Sequence, residues 1–230
     1  MKKPSRTSES ASQAIRGSSS EDGSSTVRIL AAAEAEFASL GYDATSLRQV
    51  AREAGVPIAL VSYHFGGKLG LYRAIFEART PATVEQRMAG LALADLETDP
   101  ARKLDMIVKA TLVPMLRLRA AEHSSHFGTL LAREVSDPRS IERGIVRDML
   151  DPIAAAVTSR LAVALPDRSK AEIHWIYQIL IGAMVYAMGD AGRISRLSGG
   201  AADPEDVDAT IETMLGILLN GIRPRPYSGG

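Results

Sequence analysis

The chain has 230 residues, with 27 Lys plus Arg against 27 Asp plus Glu, and no cysteine. That length allows one large domain, or a small domain joined to a larger one. Disulfides and thiolate zinc sites are excluded, and with no net charge any grip on nucleic acid must come from a local basic patch rather than a global field.

Residues 1–24 are Ser-rich, with Lys2, Lys3, Arg6 and Arg16 scattered among them. They lack the apolar content to fold alone and are expected to form a disordered tail. The alternative is a basic arm that adds phosphate contacts. The first helix is expected from residue 25 or 26 to 40, with Leu30, Ala33, Phe37 and Leu40 as its inward stripe and Gly41 as its stop. The next stretch, residues 45–68, reads as two short helices joined by a tight turn. Ser46 can cap the first and pair with Gln49 in a capping box, and Leu47, Val50, Ala51 and Ala54 share one face. Gly55 sits where the backbone needs a positive φ, and Pro57 suits the first position of a second helix over 57–65. A strand–turn–helix nucleotide loop would need an apolar β run beforehand, and none is present. The pattern fits a helix-turn-helix whose second helix enters a DNA major groove.

Lys68 opens a longer helix with Leu69, Tyr72, Ile75 and Phe76 on its apolar face, and Pro81 ends or kinks it. Asp99-Pro100 caps a helix to about residue 121, with a possible kink at Pro114. Further helices are expected over 124–135, over 140–165 with a break at Pro152, and over 173–188 behind a Ser169/Glu172 capping box. A Gly-rich loop follows, and a last helix starts at residues 203–205, with Val207, Ile211, Met214, Leu215, Leu218 and Ile222 in one stripe. No alternating run competes, so the fold class is all-α. The 173–188 segment is the one candidate membrane span, but it is shorter than the ~20 residues a bilayer needs and is broken by His174 and Gln178. No signal peptide is evident, and a cytoplasmic protein is expected.

Three runs carry a resemblance to a known family: FASLGYDATSLRQVAREAGV at 37–56, VSYHFGGK at 61–68 and LYRAIF at 71–76. Residues 26–79 resemble the DNA-binding domain of TetR-family transcriptional repressors. HFGTLLAREVSDP, at 126–138, looks like the C-terminal domain of the CerR/CecR branch of that family. The resemblance implies a helix-turn-helix domain over 25–79, an effector-binding and dimerisation domain over 80–222, and a tail over 223–230. It also implies that the 68–79 helix continues to about residue 96. In most relatives an acidic residue follows the lysine; here Leu69-Gly70 does.

The exposed face of the 57–65 helix has no Arg, Lys, Asn or Gln, the side chains best suited to bidentate base pairing. Ile58 and Ala59 can pack on thymine methyls, Ser62 offers one hydroxyl to a base edge, and Arg48 is the candidate for guanine. By resemblance, Ser46, Tyr63, His64 and Lys68 grip phosphates, and their hydroxyls, imidazole and ammonium suit that work. In the larger domain Met106, Met115, Phe127, Met149, Trp175 and Tyr177 are candidates for an effector cavity, with plain core as the alternative for most of them. His123 and His126 are its polar candidates, one helical turn apart. No third ligand is evident, and neither a metal nor another cofactor is expected. Arg133–Glu134 reads as a structural ion pair or part of the branch's motif.

The 173–188 helix is apolar nearly all round, which suits a four-helix dimer interface with the last helix. The TetR resemblance implies the same homodimer, and a monomer whose core the helix threads is the alternative. The expected protein is a repressor released from a palindromic operator by a small organic effector. Its rival is a small-molecule-binding helical protein with weak or lost DNA recognition. An enzyme is not expected, because no readable motif puts a nucleophile beside a base.

Overall fold

The computed structural model describes residues 7–119, 125–189 and 192–223. Among the described residues every regular element is a helix. The chain divides into two compact units, Met1–Ile75 and Phe76–Gly230, within four residues of the 79/80 boundary expected from sequence, and both points fall inside one helix.

The first unit contains α1 (Thr7–Ala44), α2 (Leu47–Ala54), α3 (Ile58–Phe65) and the start of α4 (Lys68–Leu96). α1 takes in part of the stretch expected as a tail, and residues 1–6 lie outside the described residues. The inward row of α1 is Ile29, Ala33 and Phe37, joined by Ala38, while Leu40 is exposed. This corrects the predicted stripe by one residue at its start. At its end the reason is Tyr42: the chain bends at Gly41 (φ 81°), and the Tyr42 ring takes the apolar site, 6.0 Å from Phe37 and 4.9 Å from Tyr72. Val50, Ala51 and Ala54 of α2, Val61 of α3, and Leu71, Tyr72 and Ile75 of α4 complete this core.

The second unit is built from the rest of α4, α5 (Pro100–Leu116), α6 (Ser125–Ser136), α7 (Ser140–Arg143), α8 (Asp151–Ala164), α9 (Lys170–Met188), α10 (Arg193–Leu197) and α11 (Val207–Ile222). α5, α8 and α9 pack on one another, α6 lies on α9, and α11 lies on α5 and α9. Pro81 neither ends α4 nor divides it; the helix continues to Leu96. The break expected at Pro152 falls earlier, at Gly144 (φ 69°). A π-helical turn over Val146–Leu150 follows it, and Pro152 lies in the first turn of α8, where its missing N–H costs nothing. α10 occupies part of the predicted loop. α11 starts at Val207, because the capping side chain is Asp206 and not Asp203: its Oδ1 accepts from Ala209 N at 3.0 Å.

Several polar pairs tie these helices together. Arg160 makes a bidentate contact with Asp95, at 2.9 and 2.7 Å. Arg223, assigned to the tail on sequence, instead caps α11 and holds Asp105 at 2.7 Å. Glu134 pairs with Arg143 at 2.7 Å, across the turn that separates α6 from α7. Arg143 also reaches Asp137 at 2.7 Å.

Candidate nucleic-acid interface and effector cavity

The helix-turn-helix geometry follows from local chemistry. Ser46 is the N-cap of α2, its Oγ accepting from Gln49 N at 3.2 Å. Gly55 takes the left-handed conformation (φ 64°, ψ 40°), and Val56 N donates to Ala51 O at 3.0 Å. That bond closes α2 and turns the chain sharply. Pro57 is then extended (ψ 139°) and serves as the N-cap of α3, one position earlier than the sequence pattern predicts.

Val61 alone among the α3 side chains is buried, so one face of this short helix is anchored and the other is free. Ala59, Ser62 and Tyr63 lie on that outer face at helical spacing, with Tyr63 81% exposed and Ile58 45% exposed. Ser46 and Arg48, beside it on α2, are exposed. Arg52 is engaged with Glu53 at 3.1 Å. Two expected phosphate contacts are drawn into the fold. Lys68 Nζ donates to Asp43 O at 2.9 Å and lies 4.8 Å from the Tyr42 ring centroid; burial lowers its pKa from the ordinary lysine value. His64 is part-buried against Tyr63, with ring centroids 5.3 Å apart. Its Nε2 is buried and has no hydrogen-bond partner, so that atom does not face solvent.

In the second unit a cavity of about 40 Å³ lies among α4, α5, α6, α8 and α9. Met115, Phe127 and Tyr177 are part of its lining; Met106 and Met149 are not. Trp175 is 67% exposed on α9. It stands about 200° around the helix from Tyr177 and cannot face the same space. His126 is exposed, and His123 lies outside the described residues. Among the described residues no group of three or more His, Cys, Asp or Glu side chains could hold a metal ion.

The lining also contains Thr80, Thr83 and Arg87 of α4, which sequence reasoning did not single out. Arg87 is buried, and that burial lowers its pKa, partly offset by a hydrogen bond with Tyr177. Burial likewise raises the Tyr177 pKa, so the phenol keeps its proton. The signal that could have identified Arg87 is its place in the row Thr80, Thr83, Val84, Arg87, a helical stripe otherwise free of charge.

The second unit also has an uncovered apolar face. Trp175, Ile179 and Tyr186 of α9, and Ile217 of α11, are all exposed. A Cβ built at Gly182 or Gly216 meets only open space. No helix among the described residues is long and apolar enough to cross a membrane.

Residues 29–75 match the bacterial regulatory proteins of the tetR family, and residues 109–221 match the tetracyclin repressor-like C-terminal domain. HTH-type transcriptional dual regulator CecR of Shigella flexneri is 24% identical over 208 residues, spanning 86% of this chain and 92% of its own length. Among solved structures, the fatty acid degradation regulator FadR of Bacillus halodurans shares the fold with a TM-score of 0.61 at 17% identity, over 87% of this chain and 97% of that one. FadR of Bacillus subtilis, solved in complex with stearoyl-CoA, superposes with a TM-score of 0.61 at 16% identity, over 86% and 99% of the two chains. With an exposed recognition-type helix in one unit and two domain matches in chain order, this protein belongs to the TetR family of DNA-binding transcriptional regulators.

Proposed function

We propose that the protein is a homodimeric, cytoplasmic repressor that leaves a two-fold operator when a small organic effector enters the cavity of its C-terminal unit. The observation that carries this reading is the outer face of α3, where Ala59, Ser62 and Tyr63 stand free while Val61 anchors the helix. Ile58 and Ala59 pack on thymine methyls, Ser62 reaches a base edge, and Arg48 reads guanine. Ser46, Tyr63, His64 and Lys68 face phosphates. For His64 and Lys68 this requires release from the intramolecular contacts they make here.

The exposed apolar residues of α9 and α11 form the dimer interface, which sets two α3 helices about one helical turn of DNA apart. α4 begins beside α3 at Lys68 and carries Arg87 at the cavity, so it is the element through which an effector acts on the heads. A hundredfold loss of operator affinity needs ~2.8 kcal/mol of differential effector binding between the two states. The FadR complex with stearoyl-CoA supports an organic ligand for a fold of this kind.

Selection of bound sequences from a random DNA pool, followed by titration at moderate salt, tests the reading. A palindromic consensus bound by a dimer is expected. Equal affinity for the selected and the random duplex would sink it.

A further inference from the structure

Arg87 is 4% exposed, and its Nε and Nη2 have no hydrogen-bond partner. These two atoms form the side-on edge of the guanidinium, a pair of parallel donors that matches the two oxygens of a carboxylate. Thr80, Thr83 and Arg87 share one face of α4, and all three line the cavity. Thr83 Oγ1 is committed to the Thr80 carbonyl at 2.8 Å, while the Thr80 hydroxyl is buried and without a partner. Three buried polar groups of one wall therefore face a space whose other walls include Met115, Phe127, Leu131, Ile153 and Met184. No Asp or Glu is among the lining residues. A guanidinium does not surrender its proton in a protein, so its charge has to be matched rather than removed.

We infer that the cavity takes an effector made of a carboxylate on a slim apolar body, an aryl or medium-chain aliphatic acid, with the carboxylate across Nε and Nη2 of Arg87 and accepting from Thr80 Oγ1. A monoanion balances the one cation that lines the cavity, whereas a phosphate dianion would bring an unmatched charge into apolar walls. At about 40 Å³ the cavity is on the scale of one water molecule, so the acid must spread its walls. Met115 and Met184 are the side chains able to give way, through their rotatable unbranched stems. This assignment rests on the reading of the cavity as the effector site and specifies the chemistry of that site.

The test uses the full-length protein as wild type, Arg87→Met, Arg87→Lys and Thr80→Val. The probes are benzoate, phenylacetate and octanoate, each beside its primary amide, and octyl phosphate. Binding is read by calorimetry and by the shift in Tm. At least one acid is expected to bind the wild type about tenfold or more tightly than its amide, with that preference lost in Arg87→Met and reduced in Arg87→Lys and Thr80→Val. Arg87→Met should melt at or above the wild-type temperature, because an apolar side chain replaces an unmatched buried charge. Should it fail to fold, Arg87→Lys and the acid–amide comparison on the wild type carry the test. Failure of all three acids to bind, equal affinity for acid and amide, undiminished acid binding to a folded Arg87→Met, or preference for octyl phosphate would each overturn the inference. Acid binding that depends on Arg87, in a protein that selects no operator, keeps this inference and removes the regulatory reading. An operator released only by neutral compounds does the reverse.

Discussion

Arg143 and Glu134 are both buried, and each holds the other's charge. Asp137 adds a second carboxylate at the edge of the pair, and contacts from Arg139 N and Arg143 hold its pKa below the usual aspartate value. In Arg143, burial works against the charge, but the hydrogen bonds to Glu134 and Asp137 prevail and raise its pKa. Arg143→Ala would take the guanidinium at 2.7 Å away from the buried Glu134 carboxylate. A loss of about 3–5 kcal/mol is expected in urea unfolding. Replacing both partners, as Glu134→Leu with Arg143→Met, should cost much less, because the carboxylate that then lacks a guanidinium, Asp137, is part-exposed and still accepts from Arg139 N. A second residue-scale prediction concerns Gly70. A Cβ there would lie 1.9 Å from the Phe65 carbonyl oxygen, which is backbone and cannot rotate away. Gly70→Ala should therefore cost about 1–3 kcal/mol and lower the Tm.

At the scale of the element, caps and termini govern whether helices as short as α2 and α3 persist, since neither is long enough to be stable alone. Ser46 has two assigned tasks, capping α2 and facing a phosphate. Ser46→Ala removes both and should cost ~1 kcal/mol of stability. Ser46→Asp separates them. It keeps the cap and suits the helix dipole, but places a negative charge toward DNA. Thermal melting should show near wild-type stability for Ser46→Asp, and a gel shift should show weakened operator binding. Loss of stability with DNA affinity unchanged would refute that division of labour. α9 has the fuller capping arrangement: Ser169 Oγ accepts from Glu172 N, and Glu172 accepts from Ser169 N at 2.8 Å.

For the whole molecule, acid should be destabilising in a definable window. Asp95, Asp137 and Glu172 all have pKa values depressed in the fold, chiefly by the Arg160 side chain, by Arg139 N and by Ser169 N respectively. A carboxylate with a depressed folded pKa stabilises above its unfolded value, about 4, and that contribution disappears as the pH falls through the folded pKa. The urea midpoint should be flat from about pH 7 to 5 and fall below about pH 4. A midpoint that rises on acidification would contradict the assigned shifts. The assembly makes its own prediction. Trp175→Glu with Ile217→Glu puts two charges on the exposed apolar face of α9 and α11, so sedimentation should report a monomer with helical content retained. Operator affinity should fall with it, since a two-fold site needs two heads. A dimer unaffected by this pair would move the interface elsewhere.

Local features were legible in the sequence because their free energy depends on neighbours within about four residues. Ser46, Gly55, Asp99 and the Ser169/Glu172 box announce where helices start and stop, and the spacing of Val50, Ala51 and Ala54 shows which side of α2 turns inward. The all-α class and the helix-turn-helix follow from these alone. Periodicity could not choose a buried side for α9, apolar on both faces; only packing against α5, α6, α8 and α11 leaves Trp175 outside and Tyr177 within. Nor could it show that Glu134 meets Arg143, or that Arg87 on α4 meets Tyr177 on α9. Each pairing joins two different helices, the first across nine residues and the second between α4 and α9, and no spacing within one helix encodes them. Tertiary structure decided them because a buried charge takes whatever donor or acceptor the packed helices bring within reach.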